Sequence, residues 1–206
     1  DARRDPEMNL LKGGMAANLL APSYTGVRQP DGTFGQAYLA ELSINYVAGL
    51  ERLAEVCALC GEPSKAARYR DIAGKVRQAL PRLMTPDGYF IMSEDPDGTR
   101  HGVFGAARHG YFEATPNHDA GCFRVTDDAT NQKIIRQMLA LKGPQAPGGL
   151  APHGLILPNY PGYDDSVHGG PYGHWVNGGH WTTTQGRMTI ACLRADHRRH
   201  RLNERK

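Results

Sequence analysis

Residues 172–188 hold the densest group of side chains suited to binding a sugar. A sugar ring has an apolar face that stacks on flat aromatic rings, and a rim of hydroxyls that bond to amides, imidazoles and hydroxyls. The segment carries all of these groups, at Trp175, Asn177, His180, Trp181 and Thr183. We therefore expect it to bind a carbohydrate. The competing interpretation is that its aromatic rings only pack the loop against neighbouring helices.

The same segment leads into an apolar pattern typical of a helix that begins near Thr182. The first N–H groups of a helix have no partner inside the helix, and they attract anions. His180 and the threonines at 182–184 are therefore candidates for holding an oxyanion as well as sugar hydroxyls.

A second polar segment, residues 109–119, contains two carboxylates, Glu113 and Asp119, close to His118. Cleavage of a glycosidic bond needs one carboxyl group to protonate the leaving oxygen, and usually a second as base or nucleophile. Glu113 and Asp119 are therefore the candidate catalytic residues, and His118 is a candidate for substrate binding. The alternative is that Asp119 merely belongs to a helix start that Asn117 caps.

A third polar segment covers residues 159–168. Tyr160 and Tyr163 are placed to flank a sugar, and Asp165 and His168 are placed to bind its hydroxyls. A plain polar turn is the alternative. Aspartate and histidine also occur together in metal sites, but no fixed ligand spacing such as HExxH is present, so no metal is predicted.

Several classes of protein are disfavoured. The sequence has no GxSxG, GxGxxG or GxxxxGK[ST] motif, so neither a serine nucleophile nor a nucleotide site is indicated, and no organic cofactor is expected. It has no apolar run of about 18 residues, which predicts no membrane span. The net charge of +3 comes from residues 194–206, a short basic tail, so we expect no nucleic-acid partner.

The four cysteines indicate no disulfide framework. Cys57 and Cys60 form a CxxC inside a helical pattern without a second ligand pair, so buried helix cysteines are predicted rather than a zinc site. A reducing compartment is compatible with this content and favours the cytoplasm.

The element pattern is one of helix pairs separated by long loops. Apolar residues at helical spacing predict a helix from Gly35 to Cys60, ended by Gly61, and a second from Pro63 to Leu83. Their short connection makes them a helical hairpin. A tetratricopeptide-like array is the alternative for this hairpin, although no similar hairpin recurs at a period of about 34 residues.

Turn sequences between residues 85 and 98 predict a short β-hairpin that begins with the strand 89–92. Further helices are predicted near Asn117, after a cap at residues 126–128, and near Thr182. The loop of about 40 residues before Thr182 is too long to be idle in a compact domain, so a functional loop is expected.

This order of elements resembles the six-hairpin glycosidases, through Asn117-His118-Asp119-Ala120 and a late Asn-Gly-Gly followed by an aromatic residue and threonines. It is most similar to the cellobiose and chitobiose phosphorylase branch, which has an Asn-Gly-Gly-aromatic stretch near its phosphate site. The matching residues are Asn177, Gly178, Gly179, Trp181, Thr182 and Thr183. The resemblance implies a mainly α fold, a partial (α/α)6 toroid built of helical hairpins with a short β-hairpin and long loops.

The resemblance also implies a domain organisation and a function. Residues 1–34 would be an irregular N-terminal segment, residues 35–195 the C-terminal part of the toroid domain, and residues 196–206 a basic tail. The chain would belong to a carbohydrate-active enzyme that cleaves glycosidic bonds of oligosaccharides by acid–base catalysis, as a hydrolase or a phosphorylase. Its partners would be an oligosaccharide or glycoside and, for a phosphorylase, inorganic phosphate.

Two other functions remain open. One is a sugar isomerase or epimerase on an α/α barrel, with His118 and His180 as acid and base. The other is a non-catalytic helical domain that binds carbohydrate or acts as a scaffold. Because half a toroid would expose apolar helix faces, association into homo-oligomers is also expected.

Overall fold

The computed structural model of the protein describes residues 3–13, 37–107, 112–140 and 182–203. This part of the chain is mainly helical, as the sequence predicts. Its α-helices are α1 (Ala40–Leu59), α2 (Pro63–Ala79), α3 (Ala114–Cys122), α4 (Asp128–Ala140) and α5 (Thr182–Asn203). A 3-10 helix, Leu80–Leu83, continues α2. Within the described ranges, no helix is long and apolar enough to cross a membrane.

The predicted hairpin of α1 and α2 is confirmed. Helix α1 ends in a Schellman motif, in which the N–H of Glu62 donates to the carbonyl of Cys57 (2.8 Å) and that of Gly61 to Ala58 (3.2 Å). Gly61 has a φ of +74°, which glycine adopts without the steric penalty of a side chain. The sequence prediction that Gly61 ends the helix is therefore correct.

A small antiparallel sheet covers the start of α1. Its strands are β1 (Lys12–Gly13), β2 (Ala37–Leu39), β3 (Ser93–Glu94) and β4 (Arg100–His101), in the order β1-β2-β3-β4. The predicted β-hairpin is present as β3 and β4, but its first strand is 93–94 and not 89–92. Helix α1 begins at Ala40 and not at Gly35, because the preceding residues pair with β1 and β3.

Strand β1 lies within the segment predicted to be irregular, and an ion pair fixes it. Asp5 pairs with Lys12 (2.6 Å) and accepts a hydrogen bond from the Tyr38 hydroxyl (3.0 Å). The Lys12 ammonium and the Met8 N–H hold the pKa of Asp5 well below its ordinary value. The polar residues of this segment therefore anchor β1 to β2.

Helix α3 lies at the centre of the helical layer. It packs against α1, α4 and α5, and all nine of its residues are buried. A helix that is hidden on all sides needs small residues where its neighbours approach most closely. Gly121 is one of these, because a Cβ there would lie 2.2 Å from Oδ1 of Asn131 and 2.9 Å from Cβ of Ala191.

Two cysteines differ from the prediction. Cys60 is exposed and Cys57 is only half-buried, so the expectation of buried helix cysteines is wrong for both. Cys57 lies in the last turn of α1, and Cys60 is the residue just after it. Leu59 beside them is 88% exposed. The apolar end of α1 is therefore uncovered.

We predict that Gly121→Ala destabilises the protein by about 1–3 kcal/mol, because the added methyl group overpacks the contact among α3, α4 and α5. Urea denaturation measures the change. Gly74→Ala is the matched control, since a Cβ at this glycine of α2 meets nothing within 4 Å. The control is expected to gain about 0.5–1 kcal/mol from the higher helix propensity of alanine. Equal losses in both variants would contradict the close-packing explanation.

Candidate functional site

The candidate site is built on α3, which begins earlier than the sequence predicts. Glu113 is its N-cap, and the Glu113 side chain accepts a hydrogen bond from the N–H of Thr115 at 3.2 Å. Pro116 is tolerated because the N–H groups of the first helical turn have no partner within the helix. The helix therefore starts at Ala114 and not near Asn117, and Asn117 is not its cap.

Asn117 instead attaches α3 to the chain before β3. Its Oδ1 accepts from the N–H of Phe90 (2.8 Å), and its Nδ2 donates to the carbonyls of Phe90 (2.9 Å) and Glu113 (2.8 Å). The side-chain amide thus satisfies both backbone polar groups of the buried residue Phe90, as a neighbouring strand would. The role of Asn117 is structural.

Asp119 is the centre of the site. Its side chain is 0% exposed, and Nη1 of Arg187 on α5 donates to Oδ1 (2.9 Å) and Oδ2 (3.1 Å). The side chain of Asn45 on α1 also hydrogen-bonds to this carboxyl. One carboxyl group of α3 therefore binds to both neighbouring helices.

Burial and pairing act on the pKa of Asp119 in opposite directions. Burial raises the pKa of this carboxyl above its ordinary value, while Arg187 and the Asn45 hydrogen bond lower it, and burial has the larger effect. The folded protein therefore binds this proton more tightly than the unfolded chain does. The contribution of Asp119 to stability is present below the ordinary pKa of the carboxyl and is lost as pH rises through the raised pKa. A raised pKa suits a group that must donate a proton near neutral pH.

Arg187 is the member of the pair that reaches solvent. Its side chain is 35% exposed, and its guanidinium lies over the Phe123 ring at 5.8 Å from the centroid. Thr183, four residues earlier on α5, is exposed in the first turn. Residues four apart on a helix lie on the same face, so Thr183 and Arg187 share one side of α5.

Glu113 and Asp119 do not share an environment. Glu113 is buried at the start of α3 and caps it, whereas Asp119 lies about 9 Å further along the axis and faces α5. His118 is fully buried on the same helix. The two predicted carboxylates therefore lie in different surroundings, Glu113 at the N-cap of α3 and Asp119 against Arg187 of α5.

The remaining predicted binding residues lie outside the described part of the chain. They are Trp175, Asn177, His180, Trp181, Tyr160, Tyr163, Asp165 and His168. Arg187 and Asn45 were not predicted. The only sequence signal for either is a polar residue next to the apolar positions of a helix, which is too common to identify a site.

Comparison with known protein families gives no match for this chain, and comparison with curated proteins gives none either. Among the residues that the structure describes, no group of three or more histidine, cysteine, aspartate or glutamate side chains is arranged to hold a metal ion. Function is therefore inferred from the residues around Asp119 and from their chemistry.

We predict that Asn117→Ala destabilises the protein by about 2–4 kcal/mol, because it leaves the buried N–H and C=O of Phe90 without partners. Chemical denaturation measures the loss. Asn131→Ala is the comparison, since Nδ2 of Asn131 makes one hydrogen bond to the Ala191 carbonyl (3.0 Å). A loss of only about 1 kcal/mol is expected there. An Asn117→Ala loss no larger than that would contradict the bridging role.

Proposed function

We propose that this chain is the C-terminal part of an (α/α)6-toroid domain in a carbohydrate-active enzyme that cleaves glycosidic bonds by hydrolysis or phosphorolysis. The observation that carries the proposal is the contact between Asp119 and Arg187. It joins two segments that the sequence marks independently, the one with the carboxylates and the helix that follows the Asn-Gly-Gly stretch. These segments are separated by 68 residues along the chain.

Asp119 has the properties of a carboxyl group for acid–base catalysis. Its burial raises its pKa, which keeps a larger fraction protonated near neutral pH. Protonation of the leaving oxygen is the step that glycosidic cleavage requires of one carboxyl group. We therefore propose Asp119 as the proton donor, and Glu113, whose side chain caps α3, as the weaker candidate.

Access to Asp119 runs through Arg187. The carboxyl is fully covered, and the guanidinium is its partly exposed partner. A substrate hydroxyl or phosphate that draws Arg187 outward would uncover the carboxyl and remove its positive partner. Since Arg187 lowers the pKa of Asp119, its departure favours the protonated acid. Binding of the substrate would thereby prepare the proton donor.

Thr183, exposed at the start of α5, is suited to bind an oxygen-rich ligand. The first turn of a helix offers N–H groups, and Thr183 adds a hydroxyl on the face that carries Arg187. An oligosaccharide or glycoside is the proposed substrate, and inorganic phosphate the proposed second substrate of a phosphorylase.

Uncovered apolar residues support a domain larger than these helices. The exposed large apolar side chains on α1 and α5 are Leu53, Val56, Leu59, Ile190 and Leu193. In an (α/α)6 toroid each hairpin packs against the next, and such positions would be covered by further hairpins. A homo-oligomer would cover them in the same way.

A non-catalytic helical domain is the second candidate, and the full burial of Asp119 favours it. A buried carboxylate that is bonded to two helices also fits a purely structural residue. Loss of stability without a specific loss of catalysis would then be the only effect of changing Asp119. The two functions are separated by measuring activity and stability in the same variant.

We predict that Asp119→Asn lowers kcat at least about 100-fold, because the amide cannot donate a proton from a carboxyl group. The measurement is kcat of the full-length protein on a panel of glycosides with and without phosphate. Glu113→Gln keeps an oxygen to cap α3 and is expected to lose less. Asp71→Asn, at an exposed pair with Lys75, is the control. Wild-type kcat in folded Asp119→Asn would refute acid–base catalysis by Asp119.

We also predict that Arg187→Met raises the pKa of Asp119 further, because the substitution removes the largest influence that lowers it. Titration of the Asp119 carboxyl by ¹³C NMR measures the change. Arg52→Met, at an exposed arginine paired with Glu55, controls for the loss of one positive charge. An unchanged or lower pKa in Arg187→Met would show that the guanidinium does not control this carboxyl.

A further inference from the structure

A cleft away from Asp119 gathers three arginines, from α2, from the turn after α3 and from α5. It has a volume of about 420 Å³ and lies where the end of α3 and the start of α4 meet α2 and α5. Its charged lining residues are Arg77, Arg124, Arg194, Asp127 and Asp128. Arg194 lies seven residues after Arg187 on α5, about 10 Å further along the helix, so the cleft is separate from the site at Asp119.

The three arginines of the cleft differ in their ion-pair partners. Arg77 pairs with Glu51 of α1. Arg124 and Arg194 form no ion pair with any other residue of the described ranges, although both line the cleft. The Asp127 carboxylate is occupied as the N-cap of α4, where it accepts from the N–H of Thr130 at 2.7 Å. Among the residues that the structure describes, two guanidinium groups are therefore left for a ligand.

A second feature of the cleft is the backbone conformation of Arg124. Helix α3 ends in a Schellman motif, with the Val125 N–H bonded to the Ala120 carbonyl (2.9 Å) and the Arg124 N–H to Gly121 (3.3 Å). Arg124 thus occupies the left-handed position, with a φ of +58°. Helix α1 ends in the same motif with Gly61 there. Glycine avoids the steric penalty that arginine suffers at such a position.

An arginine at this position therefore costs local stability that a glycine would not cost. Strained positions of this kind cluster at ligand sites, where the surrounding structure holds them in place. At Arg124 the strain coincides with a cleft that has a second available arginine on its wall.

An apolar cavity adjoins the arginine cleft. It has a volume of about 290 Å³ and shares Arg77, Thr126 and Asp127 with the cleft. Its apolar lining includes Leu80, Met84 and Val125. A ligand that fills both parts needs a negatively charged end and an apolar body.

We propose that this cleft binds a small organic anion, with an oxyanion between Arg124 and Arg194 and an apolar body against Leu80, Met84 and Val125. Guanidinium groups bind both phosphate and carboxylate oxygens through paired N–H donors. The shared chemistry is thus an oxyanion on an apolar body. Phenyl phosphate and phenylacetate are the probes that distinguish its two sources.

The test is calorimetric titration of the full chain with phenyl phosphate, phenylacetate, inorganic phosphate and phenol. One of the two aromatic anions is expected to bind at least about tenfold more tightly than either inorganic phosphate or phenol. Equal binding of phenol would show that the arginines are not used. Equal binding of inorganic phosphate would show that the apolar cavity is not used. Failure of both aromatic anions to bind would overturn the proposal.

Arg124→Gly is the decisive variant. It is expected to weaken binding of the aromatic anion about tenfold or more while raising the melting temperature, because glycine suits the left-handed position. A merely structural arginine would give a lower melting temperature. Arg194→Gln should weaken binding similarly, and Arg52→Gln, on the exposed surface of α1, should not. Binding by Arg124→Gly at the wild-type affinity would refute the site.

Asp119→Asn distinguishes this site from the proposed catalytic one. Binding of the aromatic anion to this variant is expected at the wild-type affinity, because Asp119 does not line the cleft. If Asp119→Asn loses the anion and Arg124→Gly retains it, the anion binds near Asp119 and the inference about the cleft fails, whatever the outcome for catalysis.

Discussion

The burial of α3 along its whole length constrains the surrounding structure. Its sequence includes Thr115, Asn117, His118 and Asp119, and none of these side chains is exposed by more than 1%. A buried polar group costs free energy unless it is hydrogen-bonded, and a buried charge costs more. Neighbouring elements must therefore bring partners to this helix. Asn45, Arg187 and the backbone N–H and C=O of Phe90 are such partners, and they fix where α1, α5 and the β3 region pack.

The ion pair between Asp119 and Arg187 adds little to stability by itself. Removing the Asp119 carboxylate from water costs free energy that its attraction to the partly exposed Arg187 largely only offsets. Its geometry is consistent with a functional reason for keeping it. The arginine is partly exposed and the carboxylate is not, so a ligand that contacts the arginine changes the electrostatic environment of the carboxyl.

The Schellman motifs that end α1 and α3 differ in the residue at their left-handed position. At the end of α1, glycine occupies the left-handed position, and the residue agrees with the backbone. At the end of α3, arginine occupies the same position, and the residue conflicts with the backbone. Natural sequences break such rules mostly at functional sites. The strained backbone of Arg124 therefore supports the proposed ligand site in the cleft that Arg124 lines.

The sequence by itself determined the elements whose signals are local. The helical spacing of apolar residues, the stop at Gly61 and the cap within residues 126–128 each depend on residues within a few positions, and the structure confirms them. The strands of the small sheet were less predictable, because their pairing with residues far along the chain decides where α1 begins.

The composition of the site was decided only by tertiary structure. The residue types marked Asp119 as a candidate carboxyl, but its pairing with Arg187 spans 68 residues and its bond to Asn45 joins another helix. Asn117 looked like a helix cap and instead binds Phe90, 27 residues away. No local pattern specifies such partners, because they are selected by the packing of helices around α3. Burial, which raises the pKa of Asp119, is likewise a property of the assembled fold and not of the sequence around it.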